Sequence, residues 1–537
     1  MTTDILSSSE EKIQPAVGSR PRIAEFFNGR TVFITGGTGF IGKAIVEKLL
    51  HSCPGVTKIY MLVRSKKGLD PQERVKKLIQ QSVFNRLRDE GREGWQEKMV
   101  AVPGDVTSDG ILGLSEENRC TLANEVSIFF HCAATVRFDD SLVDAVKMNV
   151  RGTLRALQLA QEMSNLKVMV HVSTTYCHTE RRELNEEVYP PPADWRNIIW
   201  ATENLSSFEL SAITHKVIGA LPNTYGFSKA LGEQVVFEHR HKLPLLIFRP
   251  SIITSAIQEP LPGWLDNFNG PTGLLVASGK GVVRTVLMKE SLIADYCPVD
   301  VCVKGIIAAA WYQATSNTLS PVSPHKEVVP EVIPSRGLKD PLLPVYNCAT
   351  SGVRPVTFGE VQDLGRTLAF ETPFNTLLWY PGGIISSSEV VYFILVILFH
   401  LIPALIFDTG LRLFGQKPRL WRLHRRIFSA NKALKYYLLN QWVFRSQDFI
   451  ELNTKHILEE DRALFALDIS AVDKVEYFRN AVIGSRRYLL NEPDSTLPAA
   501  RANLKRMYWL DRSARALFVA ILLSALWCCL RSALLSA

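Results

Sequence analysis

The chain has 537 residues, 47% of them apolar and 21% charged, an ordinary globular balance that buries a proper core and leaves room for two or three domains. Its formal net charge of +8 is modest, and no nucleic-acid reading motif accompanies it, so a nucleic-acid partner is set aside. Nine cysteines are scattered without a C-x-x-C pair or zinc-like spacing, which argues against a disulfide scaffold or a metal site. With a polar N-terminus that lacks an apolar leader, this predicts a reducing, cytosol-facing protein.

Residues 1–28 are rich in Ser, Glu and Pro and read as a disordered lead-in. Short apolar runs then recur at TVFITG (31–36), KIYMLVR (58–64), KMVAVPG (98–104), VSIFFHCA (126–133), KVMVHVST (167–174) and PLLIFRP (244–250). They are near-continuous, as parallel strands covered on both faces are. Helical stretches at 40–51, 141–162 and 226–241 fill the gaps, so the fold class is α/β, a Rossmann-type doubly wound parallel sheet. Past residue 255 the pattern turns irregular and suits a substrate-binding cap, and VYNCA (345–349) returns to the sheet. The cofactor and cap region is placed at 29–370 and a mainly helical C-terminal domain at 371–490. A linker and an apolar tail (516–530) make up 491–537.

Two stretches suit a membrane. Residues 390–407 form an apolar run broken by His400 and Pro403, borderline in length for a span and equally readable as a buried or re-entrant hairpin. The tail at 516–530 is flanked by Arg512, Arg515 and Arg531 and sits where a tail anchor would be, though it is short for a full span. Between Asp408 and Asp448 there is no acidic residue, while basic residues crowd 417–435. CoA phosphates, lipid headgroups or plain solvent would each suit that block.

The strongest chemical signal is TGGTGFIG (35–42). Gly36, Gly39 and Gly42 follow an apolar strand and open a helix, so the turn is tight and its backbone can approach a diphosphate. The helix start then supplies free N–H groups and positive potential. At the end of the second strand stands Arg64, followed by Ser65, Lys66 and Lys67, in place of the acidic residue that would hold a ribose 2′-hydroxyl. A guanidinium can grip a 2′-phosphate, which favours NADPH. Asp105, after the third strand, is placed to receive the adenine amino group.

The second signal is TYGFSKALGE (224–233). Tyr225 and Lys229 stand four apart on one helical face, where an ammonium is expected to lower the pKa of a phenol and hold the nicotinamide ribose. The fifth strand ends in Ser173, Thr174 and Thr175. Thr174 is the favoured hydroxyl to share a substrate carbonyl with Tyr225, and Ser173 the second. Cys132 and Cys177 lack an apparent activating base and read as small core residues. His131 and His171 read as buried strand residues. Trp264, Asp266 and Asn267 suit either a pocket wall or a structural turn.

At this level the chain resembles the extended short-chain dehydrogenase/reductases. More narrowly it resembles the animal fatty acyl-CoA reductases from residue 29 to about residue 470. The narrower likeness rests on HCAATVRFDDSL (131–142), EEVYPPP (186–192), PGWLDNFNGPTG (262–273), DYCPVD (295–300), YNCATSGVRPVTFGE (346–360) and PRLWRLHRRIFSANKALKYY (418–437). It departs from the family only in the strand end STT, where alanine often takes third place. The resemblance implies reduction of a long-chain fatty acyl-CoA, through an aldehyde, to a fatty alcohol with two NADPH consumed. It also implies a cofactor site of Gly36, Thr38, Gly39, Phe40, Ile41, Gly42, Arg64, Asp105, Ala133, Tyr225, Lys229 and Pro250, and attachment to membrane lipid. Endoplasmic reticulum, peroxisome and lipid droplet are left open. An aldehyde-forming or sterol-type relative, and a silent NADPH-binding membrane scaffold, stay as alternatives.

Overall fold

The computed structural model describes residues 20–66, 68–316, 333–418, 420–466 and 468–536. Most of the expected lead-in, with Lys67 and Arg419 of the basic stretches, lies outside these residues. Strands β1 (Thr31–Thr35), β2 (Lys58–Val63), β3 (Met99–Pro103), β4 (Val126–His131), β5 (Val168–Val172), β6 (Leu245–Pro250) and β7 (Val345–Cys348) form one sheet in the order β7-β6-β5-β4-β1-β2-β3. Every pairing is parallel. All seven strands therefore present their carboxyl ends at one edge, where a doubly wound sheet binds ligands. The runs read from sequence correspond to these strands, and the VYNCA run does return, as the edge strand β7.

The helices that matter here are α1 (Ile23–Phe27), α2 (Phe40–Ser52), α3 (Pro71–Ile79), α4 (Thr224–His239), α5 (Pro271–Gly279), α6 (Val299–Thr315) and α7 (Phe358–Glu371). Beyond them lie α8 (Glu389–Leu413), α9 (Leu420–Leu438), α10 (Lys474–Gly484) and α11 (Leu497–Ser536). Two apolar cores cover the two faces of the sheet, one gathering α2 and α6 and the other α4.

Two findings differ from the sequence reading. Residues 20–28 are not a mobile lead-in: Ile23, Phe26 and Phe27 of α1 are buried, and Asp461 accepts a hydrogen bond from the Ile23 amide at 2.7 Å. Nor does the chain beyond residue 371 stand apart. Ile384–Ser386 pairs with Thr285–Leu287 of the cap, and Val443–Phe444 pairs with Glu183–Leu184 of the first region. Strands of two or three residues are below what local pattern can signal.

The cap loop meets α10 through two glycines. A Cβ at Gly484 would lie 1.8 Å from the Gly263 carbonyl oxygen, so backbone must move to admit it. Gly484→Ala should therefore lower unfolding free energy by about 1–3 kcal/mol in a denaturant titration. Gly410→Ala, whose Cβ would meet nothing within 4 Å, should leave stability level or slightly raised.

Candidate active site

The glycine turn is a cradle that side chains would fill. Gly36 has φ +73°, and a Cβ there would stand 2.7 Å from the Ala133 nitrogen at the end of β4. A Cβ at Gly42 would stand 2.3 Å from the Gly36 oxygen. Gly39 caps α2 with no side-chain acceptor, so the first-turn amides, those of Phe40 and Ile41 among them, remain for an anion. The side chains of Phe40 and Ile41 are committed to packing, Phe40 against Trp264 at 5.1 Å between ring centres. The residues present fit a dinucleotide whose diphosphate rests on backbone alone.

Arg64 is half-exposed at the end of β2 and reaches Asp105 at 3.3 Å. The other Asp105 oxygen takes the amide and hydroxyl of Thr107, both at 2.9 Å. Burial works to raise the Asp105 pKa, but Thr107 and Arg64 outweigh it and hold the carboxyl below its usual range. A residue that sequence reasoning missed completes this corner. Arg74 of α3 donates to the Thr38 hydroxyl at 3.4 Å and to the Arg64 carbonyl, so two guanidinium groups flank the turn. Only helix α3, capped by Asp70, brings Arg74 back to residue 38, and no local motif announces that return.

At the adjoining strand ends, Tyr225 and Lys229 lie on the first turns of α4, which is capped by Asn223 accepting from the Gly226 amide at 3.0 Å. Tyr225 shares a side-chain hydrogen bond with Thr174. Ser173 instead faces the Glu233 carboxylate. Lys229 is buried and donates to the Val172 carbonyl at 2.7 Å. Burial lowers its pKa to about 8, against the opposing pull of Glu233. The expectation that Lys229 lowers the Tyr225 pKa is not met. Burial pushes the phenol up to about 12, with the Thr174 hydrogen bond opposing, because the ammonium is drawn to the end of β5 instead. Pro250 stands at the same edge, at the end of β6 beside Cys348.

Asn149 was also missed. It sits in a π-turn (Lys147–Arg151) within the helical stretch read at 141–162. Its amide nitrogen donates to the Ser228 hydroxyl at 2.9 Å and its oxygen accepts from the Thr135 amide at 3.0 Å. It thereby pins the loop after β4 to α4. Such bulges often mark functional positions, but they leave no trace in hydrophobic periodicity.

Burial raises the Cys132 and Cys177 pKa values, so neither is an activated thiolate. His131 and His171 stack 5.5 Å apart beneath the site, and burial brings His131 down to about 3. Trp264 and Asp266 serve the fold, Asp266 through an ion pair with Lys43 of α2. An apolar cavity, with Leu274, Leu275, Met288, Phe358, Leu434 and Leu438 in its walls, lies between the cap and α9. An aromatic group that includes Tyr176 and Tyr437 forms part of its wall. Phe138 joins Tyr437 to Tyr225 with ring centres 5.1 and 5.7 Å apart.

A parallel sheet, a glycine cradle and a Tyr/Lys/Thr cluster at its carboxyl edge define a nicotinamide-dependent reductase of the Rossmann class. Two family models, both described as male sterility protein, match the chain, the NAD-binding one over residues 34–306 and the Sterile one over 399–492. Fatty acyl-CoA reductase 1 of Homo sapiens is 38% identical over 94% of this chain and 92% of its own length, and that of Xenopus laevis 39% over the same shares. A putative fatty acyl-CoA reductase of Drosophila melanogaster is 36% identical over 89% of each. The chain belongs to the fatty acyl-CoA reductase family. Its fold is shared by the terminal reductase domain of a myxalamid synthesis pathway (TM-score 0.54, 19% identity, 85% of this chain and 90% of that one). A Mycobacterium tuberculosis non-ribosomal peptide synthetase reductase domain shares it too (TM-score 0.52, 18% identity, 89% and 95%).

Lys229 carries its positive charge below about pH 8 and loses it above. Reductase kcat/KM should therefore fall as pH rises through that value. In Lys229→Arg, whatever the residual rate, the alkaline limb should move to higher pH.

Proposed function

We propose that this enzyme reduces a long-chain fatty acyl-CoA to the primary alcohol, through the aldehyde, with NADPH as the donor. The observation that carries the reading is the joining of Tyr225, through Phe138 and Tyr437, to a cavity with predominantly apolar walls, as an acyl chain requires. Bound NADPH supplies hydride. The protein's own residues do the rest. Thr174 and Tyr225 hold the thioester oxygen and offer hydrogen bonds to the charge that develops there. The hemithioacetal collapses and releases CoA. Tyr225, protonated at neutral pH, then gives its proton to the alkoxide oxygen that develops as hydride reaches the aldehyde in the second round. Lys229 positions the ribose and restores charge balance at the phenol.

NADPH over NADH is supported by Arg64 and Arg74 standing together beside the turn, where a 2′-phosphate would find paired donors. We further assign the enzyme to a membrane surface with its catalytic region facing the cytosol. That is supported by α8, one helix among the described residues long and apolar enough to cross a bilayer, and by exposed apolar side chains along α11 such as Leu517 and Leu523.

Membranes carrying the protein, given acyl-CoAs of graded length and NADPH, should yield fatty alcohol, and Tyr225→Phe should yield none while still binding the cofactor. Aldehyde as the sole product would shorten the reaction to one reduction, and no product at any length would remove the acyl-CoA reading. Arg64→Asp should raise the KM for NADPH at least tenfold more than that for NADH, a difference of about 1.4 kcal/mol or more. Equal losses for both cofactors would take the 2′-phosphate away from Arg64.

A further inference from the structure

Along α8 the buried residues are Tyr392, Val396, His400, Ala404 and Asp408, the i, i+4 ridge of one helix side. That ridge is seated on the protein for its whole length. His400 Nε2 accepts from the Arg284 amide at 2.9 Å, its ring lies 4.8 Å from that of His424, and Phe393 meets Phe428. At the far end, Asp408 accepts from the Leu420 and Trp421 amides at 3.0 and 2.8 Å and so starts the returning helix α9. The rest of the perimeter is exposed and apolar, with Val390 70%, Ile406 68% and Phe407 60% accessible.

We propose that α8 lies flat within one leaflet of an anionic bilayer and does not cross it, with the cations of α9 on the lipid phosphates. This rests on the membrane association proposed above and settles its geometry. A single crossing is excluded by what flanks the helix. Ile384–Ser386 before it and Val443–Phe444 after it both pair with strands of the same body, so both ends of the segment stay on one side. A two-helix hairpin through the bilayer would carry α9 inward. That helix exposes Arg422, Arg425, Arg426 and Lys432, and each such charge is costly in hydrocarbon. In the plane of the interface the same groups are well placed: the apolar face enters the acyl boundary, and the exposed Trp421 with its neighbouring cations meets the headgroups.

A second copy of the chain would bring two basic α9 helices together, whereas anionic lipid complements them. The C-terminal helix agrees in direction. Asp511 of α11 holds the Trp379 indole at 2.6 Å and lies 3.7 Å from Arg284, the residue whose amide meets the middle of α8. The apolar stretch of α11 therefore leaves the body on the same side. Leu434 and Leu438 of α9 and the loop Pro381–Gly383 that leads toward α8 are also walls of the apolar cavity, so a leaflet at α8 lies beside the acyl site.

The test uses the full chain in sealed microsomes. A protease site is inserted in the loop at 415–418, and separately a photoreactive phenylalanine analogue is placed at Phe399 or Phe407, both on the exposed side. Cofactor binding by each variant establishes that it is folded. The proposal expects the 415–418 site to be cut by protease added outside as fast as a control site placed before Ile23. It also expects phospholipid adducts from both photoreactive positions. Protection of the 415–418 site would mean a span and would overturn it. Loss of lipid adducts, or adducts to protein in their place, while the tail still holds the chain on the membrane, would equally overturn it. A chain recovered entirely in the soluble fraction would sink the membrane association itself.

Discussion

One buried ion pair joins the three parts of this molecule. Arg249, on β6 and fully buried, donates from Nε and Nη2 to Glu233 of α4 at 2.8 and 2.6 Å. Its remaining hydrogen bonds go to the Asn185 and Glu187 carbonyls. Between those two residues, Glu186 accepts the amides of Asn347, at the edge strand β7, and of Asp448 and Phe449, in the C-terminal region. Sheet and α4 thus meet through the Arg249 guanidinium, and the C-terminal region joins them through the neighbouring Glu186 carboxylate. A charge pair removed from water must be held by further hydrogen bonds to be tolerated, and here those further bonds run between regions. The rotation of α4, and with it the direction of Tyr225 and Lys229, follows from where Glu233 is held.

The site built on that frame divides its labour by depth. In the proposed reading backbone would serve the diphosphate, because Gly36 and Gly42 leave room that a side chain would take. The Arg64 and Arg74 guanidinium groups stand at the rim of the turn. The buried end carries few charges, and burial acts on each of them: Lys229 is brought down to about 8 and Tyr225 raised to about 12. A phenol so raised stays protonated at neutral pH, and an ammonium brought down to about 8 lies close to its point of discharge. In the cavity beyond Phe138 and Tyr437 the Asp295 carboxylate is committed to the Thr350 and Ser351 amides.

The sequence made the sheet legible because each strand declares itself within five to eight residues, and the glycine turn and Tyr225/Lys229 pair are equally local. Position alone set Thr174 ahead of Ser173 as the tyrosine's neighbour, and Thr174 is the hydroxyl that acts on the phenol. What it concealed depends on distant residues meeting. Arg74 returns to Thr38 from a separate helix, Asn149 acts only because a π-turn aims it at Ser228, and Ile23 of α1 is held by Asp461. The pKa of Tyr225 misled for the same reason. Spacing on a helix places Lys229 near the phenol, but the Val172 carbonyl competes for the ammonium. The apolar run at 390–407 read as a borderline span or a buried hairpin because hydropathy reports how apolar a segment is and not what flanks it.

The central claim is that one site, with one acid, performs both reductions. Supplying NADPH deuterated at the transferred position, and recovering the alcohol made from unlabelled acyl-CoA, tests it in a single mass spectrum. The account predicts two deuterium atoms on the carbinol carbon, with no free aldehyde required in the medium. Alcohol carrying one deuterium, or labelled aldehyde that accumulates without further reduction, would contradict it.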